Sequence, residues 1–197
     1  MFELATHDRE ALTSFLQDMV RIPSLSCQEK GVAERLAGEM RTVGFNEVWT
    51  DRIGNVVGRI GSGTGPSLLF NGHMDTVGVG DPAAWSHDPF GAEIENGLVY
   101  GRGSTDMKGP LASLVYGAKA LKDSGVRLTG DIYVVGAVQE EPCEGYAMRV
   151  LVEEEGIRPD WVLLAEPSDL KITRGHRGRM ELHVTVQGLS LIHISEP

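Results

Sequence analysis

Residues 67–75 read Ser-Leu-Leu-Phe-Asn-Gly-His-Met-Asp. A short apolar run, suited to a strand buried on both faces, passes directly into an imidazole and a carboxylate. The same change occurs twice more. Asp131–Val138, rich in Ile, Val and Tyr, leads into Gln139, Glu140, Glu141 and Pro142; Trp161–Ala165 leads into Glu166, Pro167, Ser168 and Asp169. Between these strands lie stretches with helical periodicity. Strands alternating with helices imply an α/β sheet, at least partly parallel. In open sheets of that kind, ligands bind at the carboxyl edge of the strands, where these polar residues fall.

Working outward, Asp8 caps a predicted helix whose Leu12, Phe15, Leu16, Met19 and Val20 recur at helical spacing, and Ile22-Pro23-Ser24 ends it. A second helix is expected from about Gln28 to Thr42, with Val32, Leu36 and Met40 on one stripe and Gly44 as its stop. Glu47–Asp51, Asn55–Ile60 and Ser67–Phe70 read as strands, with a turn over 61–66. A brief strand is expected near Leu98–Tyr100, then helices over Pro110–Asp123 and Tyr146–Glu155. Arg179–Gln187 alternates apolar Met180, Leu182, Val184 and Val186 with polar residues, the pattern of a half-exposed strand. That switch predicts a new sheet and a domain boundary.

The composition excludes several classes. Lys plus Arg is 18 and Asp plus Glu is 28, a net charge of −10, which argues against a nucleic-acid partner. No apolar run is long enough to span a membrane. Two cysteines are too few for a disulfide scaffold and point to a cytoplasmic protein. The 25 glycines follow no strict period, so they suggest tight turns or a loop-built site rather than a fibre. The final stretch, Leu189–Pro197, resembles a translated transposase sequencing adapter; residues 189–197, His193 included, are therefore set aside from the functional reading.

Singly, each polar residue has an ordinary explanation. A Glu after a strand is a solvated loop charge, and Asp106, just before a helix, is an N-cap. Together, one His and several carboxylates at one sheet edge would repel strongly without a cation, and a mixed His/carboxylate set suits Zn²⁺ or a similar divalent ion. His73 and Asp75 are spaced so that the carboxylate can orient the imidazole. In the Glu140-Glu141 pair, neighbouring side chains point apart, so one can hold metal while the other acts as a general base. His87 reads as a loop residue, and Cys143 as a small packed residue.

His73-Met-Asp75, Tyr100-Gly-Arg-Gly-Ser-Thr-Asp106-Met-Lys-Gly109, Glu140-Glu141 and Glu166-Pro-Ser, in that order, resemble a family of co-catalytic zinc hydrolases. It includes acetylornithine deacetylase, succinyl-diaminopimelate desuccinylase, aminoacylase and carboxypeptidase G. The segment 174–181 further resembles its selenium-metabolism-linked branch. The resemblance implies a three-layer α/β/α catalytic domain over residues 1–176 and, from 177 to 188, the first strand of an inserted α/β domain that pairs two copies. It implies two divalent ions, Zn²⁺ first, with Co²⁺ or Mn²⁺ able to replace it. His73 and Glu166 would hold one ion, Asp106 would bridge, and Glu141 would hold the other. Asp75 would support His73, and Glu140 would be the general base. A further His ligand and an oxyanion-stabilising His belong to parts of the family pattern beyond residue 188. The implied reaction is hydrolysis of an amide in an N-acyl amino acid or short peptide, with this chain alone inactive. The alternative is a non-catalytic metal-binding or interaction module. Arg174, His176, Arg177 and Arg179 form a basic patch that could fork onto a substrate carboxylate or merely line a solvated hinge.

Overall fold

The computed structural model describes residues 5–143, 145–175, 178, 180 and 182–186. It divides into two units, Met1–Pro167 and Ser168–Pro197. The first begins with helices α1 (Thr6–Arg21) and α2 (Lys30–Thr42). Gly44 takes the left-handed conformation (φ 86°) just past α2, the stop its position predicts. Strands β1 (Glu47–Thr50), β2 (Val56–Ile60) and β3 (Ser67–His73) follow. A small hairpin, β4 (Ile94–Glu95) and β5 (Leu98–Val99), precedes a π-turn over Ser104–Lys108 and helix α3 (Gly109–Asp123). Strand β6 (Asp131–Ala137), helix α4 (Tyr146–Glu153) and strand β7 (Trp161–Leu164) complete it.

The sheet order is β1-β2-β6-β3-β7. β1–β2 and β2–β6 are antiparallel, whereas β6–β3 and β3–β7 are parallel. Successive strand residues face opposite sides, and the apolar ones divide accordingly. Val56, Ile60 and Val134 pack with Phe15, Met19, Val32, Leu36, Met40, Leu111 and Val115 from α1, α2 and α3. Val57, Leu69 and Val135 pack on the other side with Leu151 of α4 and Ile157. Helices on both faces of a mixed sheet give three α/β/α layers.

β3 runs longer than its sequence predicts. Asn71 and Gly72 are poor strand formers, yet the ladder with β6 continues to His73 opposite Ala137. Gly72 is needed there because a Cβ would lie 2.8 Å from Met107 Cε and 2.9 Å from Leu111 Cδ2. His73 is thus the last residue of the strand rather than one beyond it.

In the second unit, Asp169 and Leu170 have positive φ, and Ser168 Oγ donates to the Lys171 carbonyl (2.8 Å). The strand expected over 179–187 is not formed among its described residues, Met180 and 182–186. An alternating pattern marks which side is apolar, but a strand also needs a ladder partner. Met180, Leu182, Val184 and Val186 are accordingly exposed. Among the described residues, no helix is long and apolar enough to cross a membrane.

Candidate metal centre

The carboxyl edge of β3, β6 and β7 gathers the predicted residues. His73 ends β3 and is 2 % exposed. Its Nδ1–H donates to the backbone carbonyl of Asp75 at 2.8 Å. A carbonyl can only accept, so this bond settles the ring orientation and points Nε2 into the cluster. Nε2 lies 2.9 Å from Asp106 Oδ1, 3.9 Å from Glu140 Oε2 and 4.0 Å from Glu166 Oε1. Two sets of possible ligand atoms, each within 4.8 Å of one another, share this imidazole: His73, Asp106, Glu166 and His73, Glu140, Glu141.

Asp106 sits in the π-turn with an extended backbone (φ −119°, ψ 98°), followed by a cis peptide to Met107. It does not cap α3, whose N-cap residue is Lys108 and which has no side-chain cap bond. Gly103 (φ 82°) shapes the entry to this turn; a Cβ there would meet Thr76 Cγ2 at 2.7 Å. Lys108 faces away from the cluster. Its buried Nζ donates to the carbonyls of Met19 (3.0 Å) and Ile22 (2.9 Å) at the end of α1, where the helix dipole favours a cation. Burial lowers its pKa to about 8.

Asp75 is fully buried and does more than back the imidazole. Its Oδ1 accepts from the Glu140 N–H (3.1 Å), and its Oδ2 from the Glu141 N–H (3.2 Å) and Ser26 Oγ (2.6 Å); Oδ1 is 3.6 Å from His73 Nδ1. Burial alone would raise its pKa, but these donors together hold it below the ordinary aspartate value. Burial likewise disfavours the charged form of His73. The nearby Asp75 carboxylate, the bond to the Asp75 carbonyl and the charge of Glu166 outweigh that and raise it to about 9. Glu140 and Glu166 are both pushed above the usual glutamate value, first by burial and then by neighbouring carboxylates, with His73 opposing.

The segment beneath the cluster carries residues that sequence spacing did not single out. Ser24 Oγ donates to the Met74 carbonyl (2.8 Å), the Thr76 N–H donates to the Ser24 carbonyl (2.8 Å), and Glu29 Oε1 accepts from the Gln139 N–H (2.9 Å). The available signal was a run of short polar residues between two helices, which resembles any turn. His87 is a loop residue, stacked on Tyr100 and 3.0 Å from Glu95. Cys143 is exposed rather than packed: the turn after Glu141 lies at the surface, and both cysteines are free. Arg174 is exposed in the second unit, while His176, Arg177, Arg179 and residues 187–197 lie outside the described residues.

Residues 69–188 match the peptidase family M20/M25/M40. The chain is 44% identical over its whole length to an Escherichia coli K12 protein, YgeY, described as uncharacterized, and covers 48% of that protein. It is 36% identical to the succinyl-diaminopimelate desuccinylase of Methylobacterium nodulans, with 92% of this chain and 49% of that one aligned. Among solved structures, the M20 metallo-carboxypeptidase Sso-CP2 of Sulfolobus solfataricus shares the fold. The TM-score is 0.64 at 22% identity, over 82% of this chain and 37% of that one. The chain spans about half the length of the curated relatives it matches.

Proposed function

The chain belongs to peptidase family M20/M25/M40, and from that premise we propose that it supplies most of the metal and base machinery of a hydrolase. Its reaction is cleavage of an amide C–N bond in a small N-acyl amino acid or short peptide. The observation that carries the reading is the convergence of Asp106, Glu140, Glu141 and Glu166 around the Nε2 of His73 at one sheet edge. The donor chemistry fits two divalent ions. One imidazole and several carboxylates suit Zn²⁺, with Co²⁺ or Mn²⁺ as substitutes.

His73, Asp106 and Glu166 would hold one ion, and Asp106 with Glu141 and a further ligand the other. When bound, the ions supply Lewis acidity to the substrate carbonyl and make water acidic enough to lose a proton near neutral pH. Glu140 lies near enough to His73 to be a ligand, but we assign it the base role on the family pattern. It takes a proton from the attacking water and returns it to the leaving amine nitrogen. A carboxylate whose pKa is moved upward, as this one's is, holds that proton more readily. The Asp75 carbonyl keeps the Nε2 of His73 pointed into the cluster, where it would meet an ion, and the Asp75 carboxylate holds the backbone of Glu140 and Glu141 in place.

The test is Glu140→Gln in the whole protein. Turnover of an N-acyl amino acid falls at least ~100-fold, the usual worth of a general base, while metal content is unchanged. Turnover within a few-fold of wild type, at equal metal content, rejects the base assignment. A variant that loses metal instead makes Glu140 a ligand.

A further inference from the structure

Glu29 is the N-cap residue of α2, yet its side chain makes no cap bond to that helix. It is 5 % exposed, and Oε1 accepts from the Cys27 N–H (3.0 Å) and from the Gln139 N–H (2.9 Å), a partner 110 residues away. Gln139 is a non-glycine residue in the left-handed region (φ 55°), a conformation that persists only where the surroundings hold it. The next two N–H groups, those of Glu140 and Glu141, go to Asp75. Three consecutive amides are therefore gripped by two buried carboxylates. Both carboxylates are tied to the same segment, through Ser26 and Cys27. This turn sets where the Glu140 and Glu141 side chains leave the backbone.

We propose that Glu29 is a positioning residue: its carboxylate holds the Gln139 amide and thereby the backbone from which Glu140 and Glu141 project into the centre. The inference rests on reading Glu140 as base and Glu141 as ligand. A helix N-cap ordinarily serves its own helix with a short side chain such as Ser, Thr, Asp or Asn. Here a long side chain reaches from the start of one helix to the turn after β6. Groups that support metal ligands in this way typically change metal affinity or activity ~10–100-fold when removed.

The experiment compares Glu29→Ala, Glu29→Asp and Glu29→Gln in the whole metal-loaded protein. Glu29→Asp keeps a carboxylate at the N-cap but withdraws it from Gln139, so it tests the idea even if Glu29→Ala does not fold. Expected for Glu29→Asp are faster amide exchange at 139–141, roughly 10-fold faster release of one Zn²⁺ to a chromogenic chelator, and kcat down roughly 10-fold with KM little changed. Glu29→Gln, which keeps the acceptor oxygen, restores most of each. Wild-type exchange at 139–141 in Glu29→Asp, with kcat and zinc release within two-fold of wild type, overturns the proposal. So does a Glu29→Gln variant as defective as Glu29→Asp. The two readings fail separately. Retained turnover in Glu140→Gln rejects the base assignment whatever Glu29 does, while amide exchange tests the grip of Glu29 without reference to catalysis.

Discussion

Replacing Asp75 by Asn changes almost no volume, removes one charge and disrupts the hydrogen bonds that this carboxylate accepts. Both oxygens accept, from the Glu140 and Glu141 amides and from Ser26 Oγ. In Asp75→Asn one oxygen becomes an NH2, and whichever way the amide turns, at least one donor faces another donor. A buried donor without an acceptor costs about 1–3 kcal/mol. The remaining bonds also fall from charge-assisted to neutral strength, at about 1 kcal/mol more. A loss of about 2–4 kcal/mol follows, a large share of the ~5–15 kcal/mol typical of a folded domain. Its pH dependence has a definite sign. The folded-state pKa of Asp75 is depressed, so its contribution is present above the unfolded value of about 3.9 and is lost as pH falls through the folded value. Denaturant unfolding of chelator-treated wild type and variant therefore shows a gap that is constant above about pH 5 and closes in acid, where the protonated Asp resembles Asn. A gap below about 0.5 kcal/mol at pH 7, or one that persists undiminished into acid, refutes the reasoning.

Lys108 gives a change of the same sign at the alkaline end. Its folded pKa of about 8 lies below the unfolded 10.5, so between those values the unfolded chain binds the extra proton and wild type gains about 3 kcal/mol as pH rises. Stability of Lys108→Met lacks that gain, and unfolding curves of the two that stay parallel from pH 8 to 10.5 reject the buried ammonium. Metal binding displaces the proton that His73 holds up to about 9, so apparent Zn²⁺ affinity, read by competition with a chelator, falls about tenfold per pH unit below that value. A flat profile between pH 6 and 8.5 contradicts it.

The strands and helices that position the centre were legible because their apolar residues repeat with the right period. Val32, Leu36 and Met40 are fully buried on one face of α2, and Val134 and Val135 of β6 divide between the two layers. The ligand candidates were legible because imidazole and carboxylate follow apolar runs. Two kinds of information were not. One was pairing: β3 reaches His73 through a ladder that Asn71 and Gly72 do not advertise, and 182–186 alternates without forming a strand. The other was support. Ser26 acts on a side chain, and Glu29 and Lys108 on backbone groups, far away in sequence, and nothing in their local spacing distinguishes them from ordinary loop or helix-end residues.

On the proposed reading Asp106 would serve both of two ions at one sheet edge, and the zinc content of the folded chain decides it. The purified whole protein is equilibrated with Zn²⁺, freed of excess and analysed for zinc per folded chain, beside Asp106→Ala. Two ions per chain in the wild type and loss of both ions' tight binding in the variant, with folding intact, are expected. One ion in the wild type, or an unchanged count in Asp106→Ala, contradicts it.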